Sequence, residues 1–163
     1  MNFRLKTTLI ATAVVTALGA TAAMASDNGD AHHSKIVNSW AAAWNGSDPK
    51  ALGALFTADA TYTDHAIGVT MTGQQQISGW KERTDALIEN VHVTVNHAYR
   101  SGSHITIEAV YAGHIKGAPK PFAVDMATLL DVQGHRLTAD QDFYNLGSVL
   151  SQSGLPADWK PGS

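Results

Sequence analysis

The second half of the chain alternates apolar and polar residues with a period of two, and this pattern most restricts the possible fold. After Asn90, apolar side chains at Val91, Val93 and Val95 alternate with polar ones, and the alternation continues to Tyr144. A period of two places successive side chains on opposite faces of a β-strand. The turn signals that divide this region are Ser101-Gly102, Lys116-Gly117-Ala118-Pro119 and Gln133-Gly134. Four antiparallel strands joined by short turns are therefore predicted.

The preceding region has helical periodicity instead. Ser34 is a suitable N-cap for a first helix, whose apolar residues recur at intervals of three and four. That stripe consists of Ile36, Val37, Trp40, Ala43 and Trp44. Asp48-Pro49 begins a short second helix, and a third is predicted over residues 74–89, after a short strand over residues 60–64. Three helices followed by four strands indicate an α+β fold, in which a curved sheet wraps around the helices.

Residues 1–25 have the composition of a secretory signal peptide. Arg4 and Lys6 form a basic start, residues 7–22 are apolar and uncharged, and residues 23–25 (Ala-Met-Ala) offer a small-x-small cleavage site. The alternative is an uncleaved membrane anchor, although the run is slightly short for a spanning helix, which needs about 20 residues. In a bacterium, cleavage would yield a periplasmic or secreted protein.

Cleavage would leave a flexible tail over residues 26–33 and one domain over residues 34–163. The formal net charge of −3 would become −5, because the two charges lost with residues 1–25 are both basic. A nucleic-acid partner needs clustered basic residues and is not expected, and no basic amphipathic segment indicates a membrane partner. The chain has no cysteine, which excludes disulfides, thiol catalysis and cysteine-ligated metals.

The sequence predicts neither a metal site nor a cofactor. His32-His33 could bind a metal together with the new amino terminus, but a flexible tail offers no third fixed ligand. The remaining histidines are scattered over predicted strands and turns without the spacing of a zinc site. The glycines fall at turns rather than in a phosphate-binding loop, and no Gly-x-Ser-x-Gly nucleophile elbow is present.

The last predicted strand carries a concentration of acidic residues. Asp140, Asp142 and Tyr144 lie on one face of this strand, and a short helix follows over residues 146–153, ending at Gly154. The stretch DQDFYNLGSVLSQSGLPADW resembles the C-terminal signature of the SnoaL-like polyketide cyclases, members of the nuclear transport factor 2-like superfamily. The shared residues are Asp142, Phe143, Tyr144, Leu150, Gln152, Gly154, Leu155 and Pro156. The departures are Asn145, Ser151 and Ser153, where Asp, Arg and Leu are usual.

The resemblance extends weakly back to about Ser34 and implies a cone-shaped domain with an apolar pocket open at one end. It also implies that Asp142 is a general acid/base, because these cyclases have an acidic residue at the matching position. An apolar pocket would raise the pKa of that carboxyl, which suits proton transfer near neutral pH. The alternatives for Asp142 are a solvated surface position or an ion pair with Arg136.

The segment TYTDHAIGVTMTG matches a loop of the same family that contains an Asp-His pair. His65 is therefore the second candidate catalytic residue, since an imidazole titrates near neutral pH. Adjacent residues of a strand point in opposite directions, so Asp64 is interpreted as structural.

Further candidates for ligand binding are carboxylates and aromatic residues. Asp125 lies between apolar neighbours in a predicted central strand; it either faces the pocket and pairs with Asp142, or faces solvent. Asp140 shares the face of Asp142, although its place near the start of the strand could put it outside the cavity. The candidate wall residues are Tyr62, Trp44, Trp80, Tyr111 and Tyr144, for which a plain core role is the alternative.

Together these features predict a secreted, cofactor-independent acid–base enzyme of the cyclase, isomerase or hydratase type. Its expected partner is a small hydrophobic molecule that carries a carbonyl group. The alternatives are a periplasmic protein that binds such a molecule without reaction, and a scaffold that forms a homodimer through the outer face of its sheet.

Overall fold

The computed structural model describes residues 29–30 and 34–161. The elements in this part of the chain are β1 (Gly29–Asp30), α1 (Lys35–Asn45), α2 (Pro49–Gly53), β2 (Phe56–Asp64), β3 (Val69–Thr72), α3 (Gly73–Leu87), β4 (Ile88–Ser101), β5 (His104–Ile115), β6 (Phe122–Gln133), β7 (Arg136–Tyr144) and α4 (Leu146–Ser153). The predicted signal peptide and the histidine pair at residues 32–33 lie outside the described residues.

Helices α1 and α2 begin at the capping residues that the sequence indicates. The Ser34 side chain accepts a hydrogen bond from the backbone N–H of Val37, at the start of α1. Asp48 caps α2, and Asn145 caps α4. Each cap satisfies a backbone donor that has no partner within the helix. At the other end of α4, Gly154 adopts a left-handed conformation with φ of 75°, which a residue without a Cβ adopts readily.

The predicted four-strand meander is confirmed. Strands β4, β5, β6 and β7 pair antiparallel in sequence order, and glycines with positive φ form the three turns between them. The full sheet has the order β1-β4-β5-β6-β7-β2-β3. Gly29 and Asp30, within the segment predicted as a flexible tail, pair with Arg100 and Tyr99 of β4.

Strand β2 adds two features that the sequence did not predict. It runs parallel to β7, with Tyr62 paired to Asp140 and Asp64 paired to Asp142. It also forms a hairpin with β3, where the sequence indicated only a loop. The parallel pairing is possible because α3 and the meander separate β2 from β7 in the chain, and parallel neighbours need such a long connection.

The core lies between the concave face of the sheet and the helices. Trp40 of α1, Phe56 of β2 and Ile107 of β5 are each fully buried, and each such side chain contributes roughly 1.5–3 kcal/mol of hydrophobic stabilisation. The α+β fold expected from the sequence, a curved sheet around N-terminal helices with an apolar pocket, is confirmed. None of the helices in the described ranges is both long and apolar enough to cross a membrane.

Candidate functional site

A pocket of about 710 Å³ opens between the helices and the concave face of the sheet. Most of its lining is aliphatic or aromatic, with side chains from α1, α3, α4, five strands and the segment after α4. The ionisable acids in the lining are Asp64, Asp142 and Asp158, and the basic residues are Arg83 and Lys160. A cavity of this size accommodates a small organic molecule.

Asp142 lies at the inner end of this pocket and is only 2% exposed. Its Oδ2 accepts a hydrogen bond from the Tyr62 hydroxyl, and its Oδ1 accepts one of 2.5 Å from the Thr128 hydroxyl. Burial raises the pKa of Asp142 to about 7, while the hydrogen bonds from Thr128 and Tyr62 oppose that rise. The carboxyl group therefore exchanges a proton near neutral pH.

Asp64 is the second carboxyl group in the pocket lining. Its Oδ2 accepts a 2.9 Å hydrogen bond from the Tyr144 hydroxyl, and its Oδ1 accepts bonds of 3.0 and 3.1 Å from the backbone N–H groups of Ala66 and Ile67. Burial raises the pKa of Asp64, and these hydrogen bonds oppose the rise. Asp64 thus fixes the loop after β2, as expected, and also faces the pocket, which the sequence analysis missed.

Asp140 is fully buried and lies behind the pocket rather than in its lining. Its Oδ2 accepts a 2.8 Å hydrogen bond from Trp40 Nε1. Burial, and next the charge of Asp142, raise the pKa of Asp140 well above its usual value. Asp140 shares a face with Asp142 and Tyr144, as predicted, and of the two positions considered for it the structure shows the one outside the cavity.

Two predicted site residues lie on the outer face of the sheet. His65 is exposed; its ring stacks on Phe143 at 4.2 Å and its Nε2 lies 3.1 Å from Gln141 Oε1. Because Asp64 points into the pocket, its neighbour in the chain must point outward. Asp125 is also exposed, because its neighbours Val124 and Met126 fill the inner face of β6. The structure therefore does not bring His65 or Asp125 into the pocket with Asp142: Asp125 takes the solvent-facing alternative, and a catalytic role for His65 stays a prediction outside this pocket.

All five aromatic residues predicted as wall residues line the pocket. Tyr62 lies between Trp44 and Trp80, with ring centroids at 6.0 and 6.5 Å, and Tyr111 contacts Tyr144 at 5.4 Å. The Nε1–H of Trp44 is buried and has no hydrogen-bond partner within the described residues. The indole nitrogen of Trp44 is therefore covered by neighbouring atoms, although the ring lines the pocket.

The sequence pattern did not indicate the C-terminal part of the wall or the basic residue on α3. Trp159 lines the pocket from the segment after α4, and the Arg83 guanidinium lies 5.6 Å from the Trp80 ring. The spacing of Trp80 and Arg83, three residues apart on one helix, could have indicated a shared face. Within the described ranges, no group of three or more His, Asp or Glu side chains is placed to hold a metal ion.

Comparisons with known proteins identify relatives of this fold. Residues 37–139 match the SnoaL-like domain family. A protein from Catenulispora acidiphila DSM 44928 with a ketosteroid isomerase-like fold, solved in complex with trimethylamine, is 70% identical; the match covers 78% of this chain and 98% of that one, with a TM-score of 0.78. No curated protein matches the sequence.

Two more distant structures share the fold alone. A protein from Shewanella putrefaciens CN-32 described as a SnoaL-like polyketide cyclase is 19% identical, over 73% of this chain and 93% of that one, with a TM-score of 0.66. An M. tuberculosis epoxide hydrolase of the LEH-like type is 15% identical, and the match covers 72% of this chain and 85% of that one, with a TM-score of 0.62.

Proposed function

This chain belongs to the SnoaL-like domain family, and from that premise we propose that it performs cofactor-independent acid–base chemistry on a small, largely apolar molecule that carries a carbonyl group. The family and fold support a small-molecule-binding or isomerase-type role. Because related folds serve different reactions, the proposal depends on the chemistry of the pocket itself.

The single observation that carries the proposal is the environment of Asp142. A carboxyl group at the inner end of an apolar pocket, with its pKa raised to about 7, is present in both protonation states at neutral pH. Proton transfer is most efficient when the pKa of the catalytic group lies near the working pH. The hydroxyl groups of Tyr62 and Thr128 fix the orientation of the carboxyl group, so that it is held ready for the ligand.

The proposed reaction begins when the Asp142 carboxylate removes a proton from the carbon next to the ligand carbonyl. The electrons of that C–H bond move to the carbonyl oxygen, which becomes an enolate. Where the ligand has a C=C bond next to the deprotonated carbon, return of the proton from Asp142 to the far end of the dienolate would complete an isomerisation. Attack of the enolate carbon on a second carbonyl group of the ligand, with the Asp142 proton passing to the new alkoxide, would complete a cyclisation.

A general probe of carbon-acid chemistry tests this proposal without knowledge of the natural ligand. A nitrobenzisoxazole opens to a coloured phenolate when a base removes its carbon-bound proton, and its flat apolar ring suits the aromatic pocket. We expect the wild-type protein to accelerate this opening and Asp142→Asn to lower the rate by about 100-fold or more. The matched control is Asp125→Asn, the same substitution on the exposed outer face, which should leave the rate unchanged. A fully active Asp142→Asn protein would refute the proposal.

The second candidate function is reversible binding of a small alkylammonium ion. The relative from Catenulispora acidiphila was solved with trimethylamine, and in this chain Asp64 and Asp142 lie in a pocket with at least five aromatic rings. Such rings attract a cation by roughly 2 kcal/mol or more in a desolvated site. The positive charges of Arg83 and Lys160 oppose this attraction.

Calorimetric titration with trimethylammonium chloride and with tert-butanol separates the two functions. A cation site binds the ammonium ion and not the neutral alcohol of similar shape, and it loses the ion when Asp64 is changed to Asn. If the ammonium ion binds while the benzisoxazole opens at its background rate, the binding function replaces the catalytic one.

We also propose that the protein is exported and that it dimerises. The basic start, apolar run and small residues before Ser26 support export, and exposed Tyr99, Leu129 and Phe143 on the sheet support a homodimer. Intact mass of protein recovered from a bacterial periplasm tests the first proposal, because cleavage after Ala25 gives a defined mass. Light scattering of the purified protein tests the second.

A further inference from the structure

We infer that Asp140 keeps a proton at neutral pH and donates it as a hydrogen bond to Asp142, so that the two carboxyl groups titrate as a pair. Asp140 is then a positioning residue that sets the base strength of Asp142 without touching the ligand. The inference rests on the proposed function for its importance, but the protonation state can be measured with no substrate present.

The surroundings of Asp140 do not support a negative charge. Its side chain is 0% exposed, and its one hydrogen bond comes from Trp40 Nε1 to Oδ2. The other oxygen, Oδ1, has no donor among the described residues. An ionised carboxylate has about four acceptor positions to satisfy, so a buried and ionised Asp140 would be left mostly unsatisfied.

The titratable groups that face Asp140 would make its ionisation still less favourable. They are Asp142 on its own strand and Tyr62 and Asp64 on β2. On the other side, β6 presents the apolar Leu130, and α1 presents Trp40. None of these groups is basic, and a buried charge needs an opposite charge or protonation.

The position of the two carboxyl groups on one strand then assigns the proton. Asp140 and Asp142 are buried neighbours on the same face of β7, and because two ionised carboxylates side by side repel each other, at least one of the two must be protonated. Asp142 already accepts bonds from two hydroxyl groups, which favour its ionised form. Asp140 has the oxygen without a donor, so the inference places the proton on Asp140 Oδ1 and makes Asp142 its acceptor.

This arrangement gives the pair one exchangeable proton near neutral pH. Donation from Asp140 lowers the pKa of Asp142 relative to burial alone, and the charge of Asp142 in turn raises the pKa of Asp140. Two coupled carboxyl groups of this kind lose their protons in two separated steps. Loss of the first proton makes Asp142 a base. Loss of the second proton, from Asp140, lies above neutral pH.

The Asp140→Asn variant tests whether Asp140 is protonated at neutral pH, because an asparagine reproduces the hydrogen bonds of a protonated aspartic acid. Its amide N–H donates to Asp142, and its carbonyl accepts from Trp40. The measurement is the pH titration of the Asp142 carboxyl carbon by NMR, with Asp125→Asn as the matched control. We expect the Asp142 midpoint to stay within about half a pKa unit of wild type.

A charged Asp140 would give a different result. Removing a buried negative charge beside Asp142 would lower the Asp142 midpoint by about one unit or more, and that result would overturn the inference. In Asp140→Leu the donor is lost, and the Asp142 midpoint should rise above wild type; an unchanged midpoint there would also overturn it. A wild-type Asp142 midpoint near 4 would instead refute the proposed function, so the two failures are distinguishable.

Discussion

At the scale of single residues, burial and hydrogen bonding act on Asp142 in opposite directions. Loss of water raises its pKa, and the hydroxyl groups of Thr128 and Tyr62 lower it. A carboxyl group that is buried without hydrogen-bond donors would stay protonated at neutral pH. A carboxylate that is hydrogen-bonded without burial would have a low pKa and would be too weak a base. The balance that leaves the pKa of Asp142 near 7 therefore depends on both hydroxyl groups, and the loss of either should change this pKa measurably.

We predict that Thr128→Val raises the pKa of Asp142, because Val has the shape of Thr without the hydroxyl donor. The expected rise is about half a unit to one unit, and the rate of benzisoxazole opening at neutral pH should fall accordingly. The NMR titration of Asp142 measures the first effect. Thr63→Val is the control, since the Thr63 hydroxyl bonds only to Thr70 at the exposed side of the sheet. An unchanged or lowered pKa in Thr128→Val would contradict the prediction.

Single residues also show which parts of the candidate site the sequence predicts. Resemblance identified Asp142, and the alternation of β7 put Asp140 on the same face. The structure places Asp64 rather than His65 at the pocket, because the direction of these side chains depends on the strand that pairs with β2. In the folded chain Asp64 pairs with Asp142 across β2 and β7, and this pairing directs His65 outward.

At the scale of elements, β2 could not be placed from the sequence alone. The meander from β4 to β7 follows from local turns, whereas the β2–β7 pairing joins residues about 80 positions apart. Such a contact leaves no local signal in turn residues or periodicity. A register shift in β7 near Thr138 similarly turns Leu137 towards the core, against simple alternation.

The contact between α2 and α3 provides a prediction at this scale, with a matched pair of glycines. A Cβ on Gly53 would lie 2.5 Å from the Gln74 carbonyl oxygen of α3, which forces the two helices apart. A Cβ on Gly79, in the middle of α3, would make only an ordinary contact at 3.5 Å with Arg83. We expect Gly53→Ala to destabilise the protein by about 1–3 kcal/mol and Gly79→Ala to stabilise it by about 0.5–1 kcal/mol.

Urea unfolding of both glycine variants and wild type measures these changes in the free energy of unfolding. Equal effects of the two substitutions would show that close packing of α2 on α3 is not what requires glycine at residue 53.

At the scale of the whole molecule, three buried carboxyl groups give the fold an unusual dependence on pH. Asp64, Asp140 and Asp142 all have pKa values raised by burial. A carboxyl group whose pKa is higher in the folded than in the unfolded state takes up protons on folding. The free energy of unfolding is therefore greatest below the pKa of the group in the unfolded chain, near 4. It falls as the pH rises towards the pKa of the group in the folded protein.

We predict that the free energy of unfolding is higher at about pH 5 than at about pH 8. The part due to Asp142 is on the order of a few kcal/mol, since each unit of pKa shift corresponds to about 1.4 kcal/mol. Asp142→Asn cannot ionise, so its stability should vary less between these two pH values. Urea unfolding at both pH values measures the difference, and an equally steep dependence in Asp142→Asn would exclude Asp142 as its source.

The central claim is that Asp142 is a pocket carboxyl group that exchanges its proton near neutral pH. The most direct test is the NMR titration of the Asp142 carboxyl carbon in the wild-type protein, assigned by comparison with Asp142→Asn. The account predicts a midpoint near 7. A midpoint near 4, the ordinary value for an exposed aspartate, would show that the pocket does not tune this group and would contradict the proposed acid–base function.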